Sequence, residues 1–100
     1  MDVNDAKKLK DIKDARDDLD IIDDILGNVD KFRLQSNKVY DDITHKARYA
    51  PYIAAARVKY QLPYGNIAFK AITNYMARRK IISALREALI AYIEVEVIKK

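Results

Sequence analysis

Apolar residues recur at alternating steps of three and four along the first part of the chain. The positions are Ile12, Ala15, Leu19, Ile22, Leu26 and Val29, and most residues between them are Asp or Lys. This spacing is that of a heptad seam, which places one apolar stripe along a helix. The pattern predicts an amphipathic helix over residues 5–26. It should end or kink at Gly27 and Asn28, since both suit the left-handed residue after a helix end.

A second helical rhythm begins near Ser36 and Asn37, two acceptable caps, and carries apolar residues on one face at Val39, Tyr40, Ile43 and Ala47. Pro51 restricts the residue before it, so it either opens a new helix in its first turn or kinks a continuous one. Helical spacing then continues over residues 52–62.

The C-terminal third predicts the longest helix. Residues 63–66, with the sequence Pro-Tyr-Gly-Asn, have the composition of a loop. From Asn66, a good cap, the helix should run to at least Ala91. Apolar residues cover most of its circumference over residues 81–93, which favours a central or intermolecular helix. Residues 93–97 alternate apolar and acidic, so a short C-terminal edge strand is the alternative there.

These elements predict an all-α fold in one domain, residues 1–100: a small bundle of three to four helices with a long C-terminal helix. Half of the residues are apolar and 34% are charged, which is the composition of a globular chain. The N-terminus has no apolar signal-peptide core, and the longest apolar-rich stretch is shorter than the ~20 residues of a membrane span. We expect a cytoplasmic protein, or a virion protein if the source is viral, with no membrane partner. Many Ile, Lys and Arg with no Cys are typical of a heat-adapted source.

The candidate chemistry is sparse. Cysteine is absent and His45 is the sole histidine, with no further ligand at metal spacing, so we expect no metal and no cofactor. His45 also lacks a Ser, Cys or orienting carboxylate partner that sequence can identify, and no catalytic residue is assigned. The Asp pairs of the first helix lack the loop of alternating oxygen ligands that holds calcium, and we interpret them as a solvated face.

Charge is divided along the chain. Residues 1–30 contain ten Asp and five Lys or Arg, a net charge of −5. Residues 31–100 contain fourteen Lys or Arg and five Asp or Glu, a net charge of +9. The chain therefore divides into an acidic amphipathic helix and a basic helical body, and the basic body favours a polyanionic partner.

Six basic residues flank the predicted loop and the first half of the last helix: Arg57, Lys59, Lys70, Arg78, Arg79 and Lys80. Just upstream are five of the seven tyrosines, Tyr40, Tyr49, Tyr52, Tyr60 and Tyr64. Lys and Arg neutralise phosphates and release counterions, and aromatic faces stack on exposed bases. The cluster predicts a surface that binds DNA or RNA without sequence specificity. The alternative is a solvated basic face with the tyrosine rings packed inside.

Two arginines, Arg79 and Arg86, lie seven residues apart at the edge of the apolar stripe of the last helix. A similar line on the first helix contains Arg16, Asp23 and Asp30. Guanidinium groups at a helix interface pair well with carboxylates, so these residues predict ion pairs between helices or between subunits. The alternative is a pocket of inward-facing arginines for a small anionic ligand.

One stretch resembles a known enzyme family. Residues 16–19, Arg-Asp-Asp-Leu, are followed by Ile22-Asp23, Leu26 and Arg33, and this series resembles the first helix of the helical (AroQ-type) chorismate mutases. The resemblance implies that Arg16 and Arg33 contact the substrate carboxylates. It covers about 18 residues. Elsewhere the chain departs from the family: Thr44 stands where the family has a Lys, and the Asp-x-x-Arg-Glu motif and the C-terminal Gln have no counterpart.

The sequence thus favours a non-enzymatic helical protein that self-associates as a homo-oligomer and binds nucleic acid through its basic face, as an architectural, nucleoprotein or virion component. One alternative is an assembly module that docks on an acidic protein without nucleic acid. The other is a small bundle enzyme of the chorismate mutase kind.

Overall fold

The computed structural model describes residues 3–62 and 68–98, and within these ranges the chain forms four α-helices and no strand. The helices are α1 (Val3–Leu26), α2 (Val29–Thr44), α3 (Ala50–Lys59) and α4 (Tyr75–Ile98). Two short 3-10 turns precede α3 and α4: the first is Ala47–Tyr49 and the second is Phe69–Ala71. The predicted all-α bundle with a long C-terminal helix is confirmed. Residues 93–97 belong to α4, so the alternative of an edge strand is wrong.

The hairpin between α1 and α2 is tighter than the sequence suggested. α1 ends at Leu26 as expected, but α2 begins at Val29, seven residues before the predicted start at Ser36. Asn28 is the cap: its backbone is extended and its side-chain oxygen accepts a hydrogen bond of 3.0 Å from Lys31 N. The expected left-handed residue is absent, since Gln61 alone has a positive φ within the described ranges.

The buried face of α1 lies slightly to one side of the predicted seam. It consists of Ile12, Ala15, Asp18, Ile22 and Ile25. Leu19 and Leu26 are half-buried at its edge, whereas Val29 is 51% exposed in the next helix. The heptad seam therefore packs against helices of the same chain, and one aspartate lies within it.

α4 is the central helix of the bundle. Its buried positions are Ile81, Ile82, Ala84, Leu85, Ala88, Leu89 and Tyr92. α1 runs antiparallel to α4. Asp23, near the end of α1, contacts Arg86, whereas burial together with the negative charge of Asp11, earlier in α1, raises the pKa of Tyr92, which comes later in α4. α3 is also antiparallel, because Tyr52 packs on Tyr92 at 5.4 Å between ring centroids whereas Tyr60 lies near Met76.

The connection into α4 differs from the sequence prediction. Asn66 and the predicted loop at residues 63–66 lie outside the described residues. Residues 68–74 form the second 3-10 turn and extended backbone, so the helix begins at Tyr75 and not at residue 66. The side-chain oxygen of Asn74 accepts a hydrogen bond of 2.9 Å from Ala77 N and satisfies one free donor of the first turn. Pro51 lies in the first turn of α3, which it opens.

The described helices include none that combines the length and the apolar character of a membrane span.

Candidate nucleic-acid interface

The six basic residues predicted to bind nucleic acid lie at the end of the bundle where α3 finishes and α4 begins. Arg57 and Lys59 are in the last turn of α3, and Lys70 is in the second 3-10 turn. Arg78, Arg79 and Lys80 follow in the early turns of α4. Their environments divide them into two groups.

Arg57 and Arg78 point into the packing between helices. An NH2 donor of Arg57 bonds the Tyr40 hydroxyl at 2.7 Å, and the Tyr40 ring stacks on Phe69 with centroids 4.6 Å apart. The guanidinium of Arg78 lies over the Phe69 ring, 4.4 Å from its centroid. Arg78 packs on Phe69 of the second 3-10 turn, and Arg57 bonds the tyrosine that stacks on the same ring, so both help to hold this turn against the bundle.

The remaining four, Lys59, Lys70, Arg79 and Lys80, form what we call the basic surface. The three lysines are exposed and Arg79 is half-buried. Arg79 and Lys80 line a shallow depression beside Tyr60 and Met76, and Lys59 lines an adjoining depression that also includes Tyr60. The structure thus brings Lys59, Arg79 and Lys80 around one tyrosine.

None of the six basic residues has a carboxylate within 4.0 Å in the described parts of the chain. The ion pairs there instead use basic residues of α1, α2 and the first 3-10 turn, together with Arg86. Glu87 and Glu94 line the same depressions but form no ion pair with these cations. Cations outside ion pairs contribute a positive potential that attracts polyanions.

The tyrosines contribute less to this surface than the sequence suggested. Tyr49 is fully buried, and Tyr40 and Tyr52 are half-buried against other rings. Tyr64 lies outside the described residues. Tyr60 is therefore the member of this set that lies among the cations of the basic surface, which favours contacts with phosphates over stacking with bases.

Of the residues expected to form ion pairs between helices, the structure brings together Asp23 and Arg86. Arg86 Nε donates to Asp23 Oδ1 at 2.6 Å, and this bond raises the pKa of Arg86. The side chains are 47% and 38% exposed, so this is a surface pair and not the partly buried pair expected. Arg16, Asp30 and Arg79 make no ion pair with the described residues.

The most tightly bonded polar cluster was missed by the sequence analysis. We call it the acidic clamp: Asp14 and Asp18 of α1, Lys46 before the first 3-10 turn, and Arg48 and Tyr49 within it. Lys46 Nζ donates to Asp18 Oδ2 at 2.7 Å and to Asp14 Oδ2 at 2.9 Å. The Tyr49 hydroxyl donates to Asp18 Oδ2 at 2.8 Å, and Arg48 also bonds Asp14. The clamp ties the connection between α2 and α3 to α1.

Burial and hydrogen bonding shift the titration of the clamp. Hydrogen bonding from Lys46 lowers the pKa of Asp14 although partial burial opposes it. Burial by itself lowers the pKa of Lys46, but the bonds to Asp18 and Asp14 outweigh it and the pKa is raised. Burial raises the pKa of Tyr49, and its bond to Asp18 raises it further. Each shift favours the protonation state that the bonds require.

A sequence signal for this clamp exists. Asp18 is 8% exposed, so its interpretation as part of a solvated face is wrong. It follows Ala15 by three residues and precedes Ile22 by four, which places it on the buried stripe. A carboxylate at such a position requires cations, and Lys46 and Arg48 are close together in sequence after α2.

The arginines of the chorismate mutase resemblance lie on different helices. Arg16 is exposed on α1, whereas Arg33 is on α2, beyond the break at Gly27, with its guanidinium 5.6 Å from the Tyr75 ring centroid. Within the described residues no cluster of three or more His, Cys, Asp or Glu side chains has the geometry of a metal site.

Fold and surface chemistry define a small antiparallel helical bundle with a basic end. No family model, no curated protein and no solved structure matches this chain.

Proposed function

We propose that this protein binds nucleic acid, without preference for base sequence, through the basic surface of Lys59, Lys70, Arg79 and Lys80. The observation that carries the proposal is that the four basic residues of this surface take no part in the ion pairs that other Lys and Arg residues form with carboxylates. The described ion pairs leave all four of these residues without a carboxylate. Phosphates supply the counter-charge that the chain does not.

The chemistry of the surface favours phosphate contacts. Its three lysines are exposed point charges on flexible stems, which suit phosphate oxygens more than base edges. The available aromatic face is that of the half-buried Tyr60. Binding should therefore depend on charge density and salt and be nearly independent of sequence.

The experiment is a salt titration of binding to DNA duplexes of different sequence and to single-stranded RNA. The test variant combines Lys59→Ala, Lys70→Ala and Lys80→Ala. Arg78 is left intact because its removal would release Phe69 and confuse a folding defect with weaker binding. We expect lower affinity for every probe and a salt slope flatter by about 0.9 for each duplex phosphate that the variant no longer neutralises. The melting temperature should stay close to that of the parent.

The matched control removes three lysines from the exposed part of α1: Lys7→Ala, Lys10→Ala and Lys13→Ala. It has the same change in net charge and should bind almost as the parent does. If the two triple variants lose affinity equally, net charge and not the basic surface is responsible. If the parent binds no probe at low salt, or binds poly-glutamate as tightly as nucleic acid, the proposal is wrong, and the second result favours an assembly module for acidic proteins.

A further inference from the structure

The outward face of α4 carries a regular pattern that packing within the chain does not use. Its members are three or four residues apart except for the adjacent pair at the centre: Met76, Arg79, Ser83, Arg86, Glu87, Ile90, Glu94 and Val97. None is fully buried, and Met76 and Val97 are 68% and 40% exposed. The opposite face of α4 holds the core. We call this set the outer stripe of α4.

Charge along the outer stripe is antisymmetric about its middle. Arg79 lies near one end, Glu94 lies near the other, and Arg86 and Glu87 are adjacent at the centre. Residues opposite each other in an antiparallel helix pair have a constant sum of residue numbers. At a sum of 173, Arg79 meets Glu94 of a second copy and Arg86 meets Glu87 of a second copy.

The uncharged positions obey the same sum. Met76 meets Val97 of a second copy, which pairs two exposed apolar side chains. Ser83 meets Ile90 of a second copy, which sets a small residue against a branched one. In an interface on a two-fold axis, if residue i of one copy contacts residue j of the other, then residue j of the first copy contacts residue i of the second. Each position of the outer stripe has a complementary residue under this condition.

We propose that two copies of this chain associate antiparallel through the outer stripe of α4, with the two-fold axis passing between Arg86 and Glu87. Charge complementarity selects both the partner and its direction. A parallel pair would set Arg79 against Arg79 and Glu94 against Glu94, and like charges in such contacts are repulsive.

Arg86 can serve both contacts that the dimer gives it. Its Nε is engaged by Asp23, whereas its NH1 lies 3.9 Å from Oε1 of Glu87 in the same chain, beyond a hydrogen bond. A guanidinium has five N–H donors, so further donors remain for Glu87 of a second copy. Arg86 can therefore pair with Glu87 of a second copy while it keeps its bond to Asp23, which links α1 to α4 within its own chain.

The contact is long and narrow. Residues 76–97 extend over about 32 Å of helix. One helix pair of this length lies at the low end of specific interfaces, which bury about 1,200 Å² or more in total. We therefore expect a dissociation constant in the micromolar range. Arg79 belongs to both the basic surface and the outer stripe, so a dimer would take its charge and leave Lys59, Lys70 and Lys80 for phosphates. The triple lysine variant changes no residue of the stripe, so nucleic-acid binding and dimerisation are tested by different variants.

The experiment is sedimentation equilibrium of the parent and of charge-reversed variants across the micromolar range. Arg79→Glu and Glu94→Arg should each raise the dissociation constant by roughly tenfold or more, because each sets like charges together at two symmetry-related places. Combining the two restores opposite charges, and the double variant should return close to the parent. Lys10→Glu on the exposed face of α1 makes the same charge change as Arg79→Glu and should leave association unchanged.

Crosslinking tests the direction of the pair. The chain has no cysteine, so introduced thiols are the only ones present. Ser83→Cys combined with Ile90→Cys should form an intermolecular disulfide rapidly under oxidation, whereas Ser83→Cys alone should not. A parent that is monomeric throughout, a double charge variant that fails to recover, or efficient crosslinking by Ser83→Cys alone would each overturn the proposal.

Discussion

The acidic clamp and the basic surface use their charges in opposite ways. In the acidic clamp, Asp14 and Asp18 share Lys46, Arg48 and Tyr49 through hydrogen bonds between partly or fully buried groups. In the basic surface, three exposed lysines and Arg79 have no carboxylate within 4.0 Å in the described parts of the chain. Charge at the first site holds the fold together, whereas charge at the second remains available to a ligand.

The comparison explains why net charge alone is a poor guide to the molecule. The α1 helix carries most of the acid, yet four of its aspartates, Asp14, Asp18, Asp23 and Asp24, pair with residues of the basic body. The four residues of the basic surface form no such pair with the described residues. The −5 and +9 totals of the sequence therefore count charges that are paired in the fold together with charges that are not.

The largest effect should come from the centre of the clamp. Asp18→Ala leaves the buried Tyr49 hydroxyl without an acceptor and leaves Lys46 with Asp14 alone. Because Lys46 stays partly solvated, we expect a loss of about 2–3 kcal/mol, below the full cost of breaking a buried pair. Urea unfolding measures it.

Asp17→Ala is the matched control for Asp18→Ala. Asp17 is the adjacent residue, and its pair with Lys13 has side chains 58% and 78% exposed. Its removal should cost no more than about 0.5 kcal/mol. If the two variants are equally stable, the clamp does not have the structural role assigned to it.

A smaller effect, with a pH signature, is expected from Tyr49. Tyr49→Phe removes one hydrogen bond to Asp18 and should cost about 1–2 kcal/mol at neutral pH. The raised pKa values of Tyr49 and Lys46 mean that their stabilisation is complete below their unfolded values of about 10 and is lost as pH rises through the folded values. The lowered pKa of Asp14 means that its contribution is lost as pH falls below about 4.

Unfolding free energies of the parent and Tyr49→Phe, measured from acid to alkaline pH, test this assignment. The difference between the two proteins should shrink above about pH 10, because the parent then loses a contribution that the variant never had. It should stay constant between about pH 5 and 9. A constant difference through the alkaline range would place the titrating group elsewhere.

The sequence predicted the helical class, the break at Gly27 and the central place of the last helix, because apolar periodicity reports directly on burial. It missed the start of α2 because the Asn28 cap was interpreted as the end of one helix and not also as the beginning of the next. It placed the start of α4 too early because Asn66 and Asn74 are equally good caps, and tertiary packing of Phe69 decides between them.

The sequence predicted which basic residues lie near the candidate site, but it did not predict which of their side chains pack inward and which are exposed. A count of basic residues does not distinguish Arg78, which packs on Phe69, from Lys80, which is exposed, since both precede the same apolar run. The clamp was missed because its halves are about 30 residues apart, as the separations of 28 and 31 residues from Asp18 to Lys46 and Tyr49 show. Periodicity carries no information on which distant cation meets a buried carboxylate.

The smallest effect should be that of the surface pair between Asp23 and Arg86, which links α1 to α4 outside both the acidic clamp and the basic surface. Both side chains are more than a third exposed, so solvent screens the pair despite its 2.6 Å contact. We expect a coupling of about 0.2–1 kcal/mol in a double-mutant cycle of Asp23→Ala and Arg86→Ala, decreasing as salt rises. A parallel cycle on Asp30 and Arg86, which make no contact, should give a coupling near zero. A coupling above about 2 kcal/mol would contradict the distinction between the buried clamp and the screened surface pair.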